Sequence, residues 1–281
     1  MSVDSNMLTF DVVRPTPDEK VTEEVLLARG LDLSDCRDLG KEGAPKLNAE
    51  QHQQLVDVFV EEEAAIARDP KRPGTSDYML IRIETGDNEP QASKPYTVPH
   101  RYQEEVRKEV AKLLRNGLIS PCMSPWASPV LVVVKKDSGA GDKVNLKLAI
   151  DLRKLNAVTV MDSGAIGSMA DILDKFCGRP YASCCDISSG YYSFLLHPDD
   201  RKKTCFVLPY SMGGTTFCWH RAPYGIARLP AEFSRAIMTI LTGLHDEVSS
   251  YIDDLCTHTS SFERHLVALK AMLRRLRMAA R

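Results

Sequence analysis

An α+β fold is predicted by three features of this sequence. Two segments, starting near Asn48 and near Arg101, repeat their apolar residues at helical spacing. Residues 130–134 with 144–150, and the stretch around Tyr251, instead alternate as short strands about a turn. The chain has 281 residues and is 43% hydrophobic, ordinary for a protein that buries a core, so disorder throughout is excluded.

Taken in order, residues 1–46 are polar and weakly periodic apart from a helical candidate at 21–29; they read as an acidic, partly disordered leader. Residues 47–93 read as an N-terminal extension of one helix and one strand. Asn48 is a good N-cap with Gln51 three residues on, and Leu55, Val56, Phe59, Val60 and Ile66 form the apolar stripe. Asp69-Pro70-Lys71-Arg72-Pro73-Gly74 is expected to end that helix. Residues 78–83 alternate like a strand and stop at the turn cluster Thr85-Gly86-Asp87-Asn88.

From residue 94 a second helix is expected over 101–116, with Val106, Val110, Leu113 and Leu114 on one face and Gly117 at its end. Residues 119–129 carry three prolines and Trp126, which predicts a loop with one large anchor. Residues 130–134 and 144–150 pair as a hairpin whose second strand turns Lys147 away from Leu146, Leu148 and Ile150. A short buried strand at 181–185 ends at Asp186, and Ser188-Ser189-Gly190-Tyr191-Tyr192 leads into a short helix. Residues 204–208 and 215–219 make another hairpin around Gly213-Gly214. A helix over 230–244 follows Pro223-Tyr224-Gly225. Residues 262–278 close the chain as a basic amphipathic helix covering a sheet, with its arginines in water.

Charge is distributed unevenly. Residues 1–93 hold 10 basic and 20 acidic side chains, net −10, whereas 94–281 hold 26 and 18, net +8. Only the second part could face phosphates. The longest aliphatic run, Val130-Leu131-Val132-Val133-Val134, is far short of the roughly 20 residues that cross a bilayer, so no membrane partner is expected. The eight cysteines, at 36, 122, 177, 184, 185, 205, 218 and 256, form no C-x-x-C pair, which argues against a zinc module or disulfide framework and for a reducing interior. The N-terminus has no apolar segment to direct secretion.

The chemistry concentrates in Tyr251-Ile252-Asp253-Asp254. A continuing strand would send adjacent acids to opposite faces, so Asp253 and Asp254 share one site only if the chain turns there. Crowded carboxylates repel unless a cation sits between them, and hard divalent cations choose carboxylate oxygens. An ordinary solvated turn is the competing reading of the pair alone. Asp186, at the end of a strand, supplies a third acid. Acids for metals, lysines at 135, 136 and 147 for phosphates and tyrosines for a sugar together describe nucleotidyl transfer.

Residues 94 to about 277 carry a series of motifs in one order. They run Lys94-Pro95-Tyr96-Thr97-Val98-Pro99, Gly117-Leu118-Ile119-Ser120-Pro121, Ser124-Pro125-Trp126-Ala127-Ser128-Pro129 and Ile150-Asp151-Leu152-Arg153-Lys154-Leu155-Asn156. Asp186-Ile187-Ser188-Ser189-Gly190-Tyr191, Lys203-Thr204-Cys205-Phe206, Pro223-Tyr224-Gly225-Ile226, Tyr251-Ile252-Asp253-Asp254 and Glu263-Arg264-His265-Leu266 follow. This series resembles the reverse transcriptases of Gypsy-like LTR retrotransposon polyproteins. The resemblance implies a fingers and palm architecture over 94–281, with a small antiparallel palm sheet backed by helices. It implies RNA-directed DNA polymerisation with Mg²⁺, or Mn²⁺ in its place, on an RNA or DNA template with primer and deoxynucleoside triphosphates. It assigns Asp186, Asp253 and Asp254 to the metal ions, with Asp254 mainly supporting the electrostatics. Lys135, Lys136 and Lys147 would face the phosphates, Tyr191 would exclude a 2′-hydroxyl, and Tyr224, Gly225 and Tyr251 would complete the nucleotide site. Arg153 would pair with Asp151 or touch the template backbone.

Departures from the family pattern define an alternative, a non-catalytic fragment that binds nucleic acid or protein. Lys147 stands where the family has arginine, which keeps the charge but loses bidentate contact. Asp162-Ser163-Gly164-Ala165-Ile166-Gly167 replaces a proline-containing segment, and Ile226-Ala227-Arg228-Leu229 replaces an asparagine-containing turn. Ser249, Ser250, Cys256, Thr257 and His258 are more polar than the usual strands around the acids. Asp162-Ser163-Gly164-Ala165 also has the form of an aspartic-protease signature, but it lies between polymerase motifs and precedes a helical pattern at 169–176, which is the wrong context. The resemblance further implies a thumb and a ribonuclease H region, expected elsewhere in a polyprotein since the motifs reach only the palm, and a cytoplasmic, virus-like-particle setting that allows a nuclear phase.

Overall fold

Thr22 opens the first helix by accepting a hydrogen bond from the Val25 N–H at 3.4 Å, and α1 spans Glu23–Ala28. In the computed structural model the described residues are 21–29, 31, 33, 36, 37, 41, 46–66, 74–134, 146–161, 168–187 and 190–279. Within the expected leader, Leu26 is fully buried and Arg29 pairs with Glu63 at 2.9 Å, so this part is tied to the body rather than loosely held. α2 (Ala49–Glu61) starts with the predicted capping box: Asn48 Oδ1 accepts from the Gln51 N–H at 2.8 Å and Gln51 Oε1 from the Asn48 N–H at 3.2 Å. The helix ends sooner than its apolar stripe. Residues 63–65 tighten into a 3₁₀ turn, so Ile66 packs on the core from beyond the helix.

β1 (Ser76–Ile81) leads into the extended segment before α3 (His100–Arg115), which buries Val106 and Val110. The expected loop at 119–129 instead begins with β2 (Ile119–Pro121), whose partner lies some hundred residues ahead and is invisible locally. Trp126 is the buried anchor that was predicted. β3 (Ser128–Val134) and β4 (Leu146–Ile150) pair antiparallel with Val130 opposite Ile150 and Val133 opposite Lys147. Two short helices follow, α4 (Arg153–Val158), which the sequence did not suggest, and α5 (Met169–Phe176).

β5 (Tyr181–Asp186) is a sheet edge, and so only half buried rather than buried throughout: Ala182, Cys184 and Asp186 are exposed on one face. β6 (Phe194–Leu196), β7 (Phe206–Val207) and β8 (Thr216–Trp219) come next. α6 (Leu229–Ile240) is shorter than expected, since turns take over before Gly243, and β9 (Val248–Tyr251), β10 (Asp254–Thr259) and α7 (Phe262–Ala279) finish the chain.

Three sheets result, in the orders β1-β6, β5-β10-β9 and β2-β8-β7-β3-β4. The second is antiparallel throughout. α7 covers one of its faces with Phe262, His265, Leu269, Met272 and Leu273, as its amphipathic pattern predicted. On the other face, Phe176 of α5 caps the far end, 4.8 Å from His258, centroid to centroid. At the near end the acids stand in the open. Among the described residues no helix is long and apolar enough to cross a membrane.

Candidate active site

Tyr251 and Asp254 form the last pair of the β9–β10 ladder, leaving Ile252 and Asp253 as a two-residue turn. Ile252 has φ of +55°, a left-handed conformation that a β-branched residue adopts at a cost of about 1–2 kcal/mol. Positive φ at the first central position alone is the type II′ pattern, whose twist matches hairpin strands. The chain does turn between the two acids, as their sharing of a site required.

The turn is tied down across the sheet, where the Ile187 N–H donates to the Asp253 carbonyl at 2.9 Å. Residues 187 and 253 are therefore a hydrogen-bonded pair, and alternation along an antiparallel ladder makes the next pair, Asp186 opposite Asp254, a non-hydrogen-bonded one. In such pairs the opposed side chains rise from the same face with Cβ atoms about 4.5–5.5 Å apart. Two carboxylates are thus side by side, with the third at the adjoining tip.

Their proximity is written in the electrostatics. Burial, then Asp253, then Asp254 push the Asp186 carboxyl above its ordinary pKa. Tyr191 is pushed up to about 12 by burial and by Asp253, and Tyr224 is raised by burial, Asp253 and Asp186. Both phenols therefore look onto the acids. Hard oxygen donors that repel one another suit a divalent cation of the Mg²⁺ type. Among the described residues no three His, Cys, Asp or Glu side chains close into a ready-made metal cage, so the acids are near neighbours rather than a formed ligand set.

Aromatic rings build the adjoining wall. The Tyr191 ring lies 5.1 Å from Tyr224 and meets Phe233 edge-on, also at 5.1 Å. Gly190 makes that approach feasible, since a Cβ there would come within 2.9 Å of Phe233 Cζ. Lys147 Nζ sits 4.6 Å from the centre of the Tyr224 ring, so its charge is held at the site by a cation–π contact. Gly225, at φ of +100°, makes the turn that presents Tyr224. Tyr251 is half-buried beside the turn, in the pair that closes it. Lys135 and Lys136 lie outside the described residues, as does the protease-like segment 162–167.

Three contributors were not foreseen. Asn156 brackets the Gly225 turn: its Nδ2 donates to the Gly225 carbonyl at 2.8 Å and its Oδ1 accepts from the Ala227 N–H at 3.0 Å. Phe233 carries Tyr191. Tyr96 donates to Asp151 at 2.9 Å, and Arg153 grips the same carboxylate in bidentate fashion at 2.8 and 2.7 Å. That clamp holds Asp151 well below the usual carboxylate range and settles Arg153 as an ion-pairing residue. Asn156 and Tyr96 had a signal in the sequence, their places in motifs; Phe233 had none.

Residues 134–280 match the family described as Reverse transcriptase (RNA-dependent DNA polymerase), slightly more than half of the chain. The chain belongs to the reverse transcriptase family. It is 32% identical over 197 residues to the retrovirus-related Pol polyprotein from transposon gypsy of Drosophila melanogaster, covering 70% of this chain and 19% of that protein. To the Pol polyprotein from transposon 412 of the same organism it is 29% identical over 215 residues, 76% of this chain and 16% of the relative. The chain thus spans less than a fifth of either. The foamy viral protease-reverse transcriptase in complex with RNA/DNA hybrid superposes with a TM-score of 0.76 at 21% identity, over 95% of this chain and 33% of that one. The fingers and palm fold is that of these reverse transcriptases.

The motif Lys203-Thr204-Cys205-Phe206 turns out to be scaffolding. Lys203 and Arg82 both reach the buried Asp200, at 2.9 and 2.7 Å, and Thr204 Oγ1 accepts from the Trp219 N–H at 3.1 Å. Two of the expected departures, at Ser249 with His258 and at Arg228, have partners of their own. Ser249 Oγ lies 2.8 Å from His258 Nε2, and Arg179 lies 2.8 Å from His258 Nδ1. In the replaced turn, Arg228 pairs with Glu232 at 2.6 Å and donates to the Val160 carbonyl at 3.2 Å. Of the polar residues expected to weaken the strands, Ser249 and His258 pair with each other, Thr257 donates to Met272 Sδ at 3.4 Å and Cys256 meets Cys184, inside a complete ladder.

Proposed function

We propose that this domain is the catalytic core of an RNA-directed DNA polymerase, extending a primer with deoxynucleoside triphosphates on an RNA or DNA template. The observation that carries the reading is the placement of Asp186 opposite Asp254, with Asp253 at the adjoining tip and Tyr191 beside them. Asp186 and Asp253 are the principal holders of Mg²⁺, with Mn²⁺ as a substitute, and Asp254 deepens the negative potential. The bound ions would activate the primer 3′-hydroxyl and hold the triphosphate. Tyr191, locked between Tyr224 and Phe233, stands where a ribose 2′-hydroxyl would clash. Lys147 keeps a positive charge at the nucleotide site without the fork of an arginine, and Lys135 and Lys136 add to it. Tyr251 braces the turn, and Tyr224 with Gly225 lines the nucleotide pocket. The relatives are polyproteins much longer than this chain, which supports a thumb and ribonuclease H being supplied by a larger product; a cytoplasmic, virus-like particle is the setting proposed for it.

Primer extension on a homopolymer template, comparing the chain with Asp253→Ala, tests the reading. Incorporation that depends on the divalent ion and disappears in the variant is the expected result. Equal background from both proteins would leave the non-catalytic alternative.

A further inference from the structure

We propose that Cys184 and Cys256 are a redox-closable pair, the site of a cross-strand disulfide beside the catalytic acids. The two residues face each other in the β5–β10 ladder, two positions along from Asp186 and Asp254 respectively. The alternation that makes 186·254 a non-hydrogen-bonded pair makes 184·256 one as well. At such positions Cα atoms are about 4.5 Å apart, inside the range of about 4.4–6.8 Å that disulfides span. Both thiols are free and their Sγ atoms lie 2.7 Å apart, on the same face as the carboxylates. Cys184 is exposed, so a small oxidant has access.

The other cysteines lack this combination. Cys122 and Cys205 approach to 3.3 Å, but Cys205 is fully buried. Cys185 is turned to the opposite face, against Leu255 in the ladder.

The reaction is a two-electron oxidation by a peroxide. One thiol is oxidised to a sulfenic acid as the O–O bond of hydrogen peroxide breaks and the first water leaves. The second thiol attacks that sulfur, the S–S bond forms, and its proton departs with the hydroxyl as a second water. Once closed, the bridge fastens the edge strand that carries Asp186 to the central strand that carries Asp254, at the spacing the ladder already has. The site is clamped without being displaced.

The bridge itself does not depend on the polymerase reading; only its value as a clamp on catalysis does. The test is to expose the full chain to hydrogen peroxide and map its peptides without reduction. A Cys184–Cys256 cross-link, reversed by a phosphine reductant and absent from Cys184→Ser and Cys256→Ser, is expected. It should raise the melting temperature by about 5 °C relative to the reduced protein, since the bridge closes a long chain segment. The Asp253→Ala variant should form it equally, which separates this outcome from any failure of nucleotide incorporation. Recovery of both thiols unmodified after prolonged oxidation, or their conversion to sulfinic acids without a cross-link, would overturn the proposal.

Discussion

Ser249 Oγ lies 2.8 Å from His258 Nε2 within the β9–β10 hairpin, and the chain of contacts runs on through His258 Nδ1 to Arg179 and the Asp246 carbonyl. Arginine only donates, so His258 Nδ1 accepts and Nε2 carries the proton that Ser249 receives. Burial, with Arg179 and Lys175 nearby, lowers the pKa of this histidine and keeps it neutral. Ser249 and His258 stand in these strands because each finds its partner on the neighbouring strand or at the sheet's end. Ser249→Ala should strand the His258 N–H in a fully buried position, at about 1–3 kcal/mol. Urea unfolding measures it, and an unchanged midpoint would show the contact to be dispensable.

His265 makes the palm acid-sensitive. Thr259 Oγ1 donates to the Ser261 carbonyl at 3.0 Å, so it accepts from His265 Nδ1 at 3.3 Å, while Ser183 donates to Nε2 at 2.8 Å. Burial holds this neutral ring at a pKa of about 4, below the ordinary 6.5. Between these values the unfolded chain binds the proton and the folded one does not, so stability is present above pH 6.5 and is lost as pH falls towards 4. The loss from this ring is of order 3 kcal/mol. Denaturant midpoints from pH 7 to 4.5 should fall steeply for the wild type and less for His265→Asn.

Gly190→Ala tests the support beneath Tyr191. The added methyl would meet Phe233 at 2.9 Å and Ile187 Cγ2 at 3.1 Å, ring and aliphatic atoms fixed by the core. Overpacking of this kind costs about 1–3 kcal/mol. Pairing it with Phe233→Leu should recover part of the loss, and a double-mutant cycle with no coupling would show that the two do not touch.

Asp186→Asn removes a carboxylate that its neighbours oppose. The raised pKa means that the ionised form is disfavoured in the folded state, so stability contributed by this group falls as pH rises through the carboxylate range. The variant should therefore melt higher than the wild type at neutral pH while losing more than about 100-fold in nucleotide incorporation. A lower melting temperature would mean that the carboxylate is held by contacts that outweigh the repulsion.

Local pattern is enough to place most elements and to pick out the acids that matter. Helices at α2, α3 and α7 follow from 3.6-residue periodicity and a capping box, and the turn between Asp253 and Asp254 from the fact that adjacent strand residues face opposite ways. Order along the chain placed Asp186 with that pair through a family motif. The remainder depends on contacts between residues far apart in the chain. β2 exists because Ile119 finds Trp219, and α6 stops before Gly243 where turns feed β9. Asn156 acts through a turn more than sixty residues away, and Arg153 closes on an acid that Tyr96 also holds. Register decided the most. A slip of one residue between β5 and β10 would turn Asp186 and Cys184 away from Asp254 and Cys256, and that register is fixed by the faces the sheet must bury under α7, which local spacing cannot record.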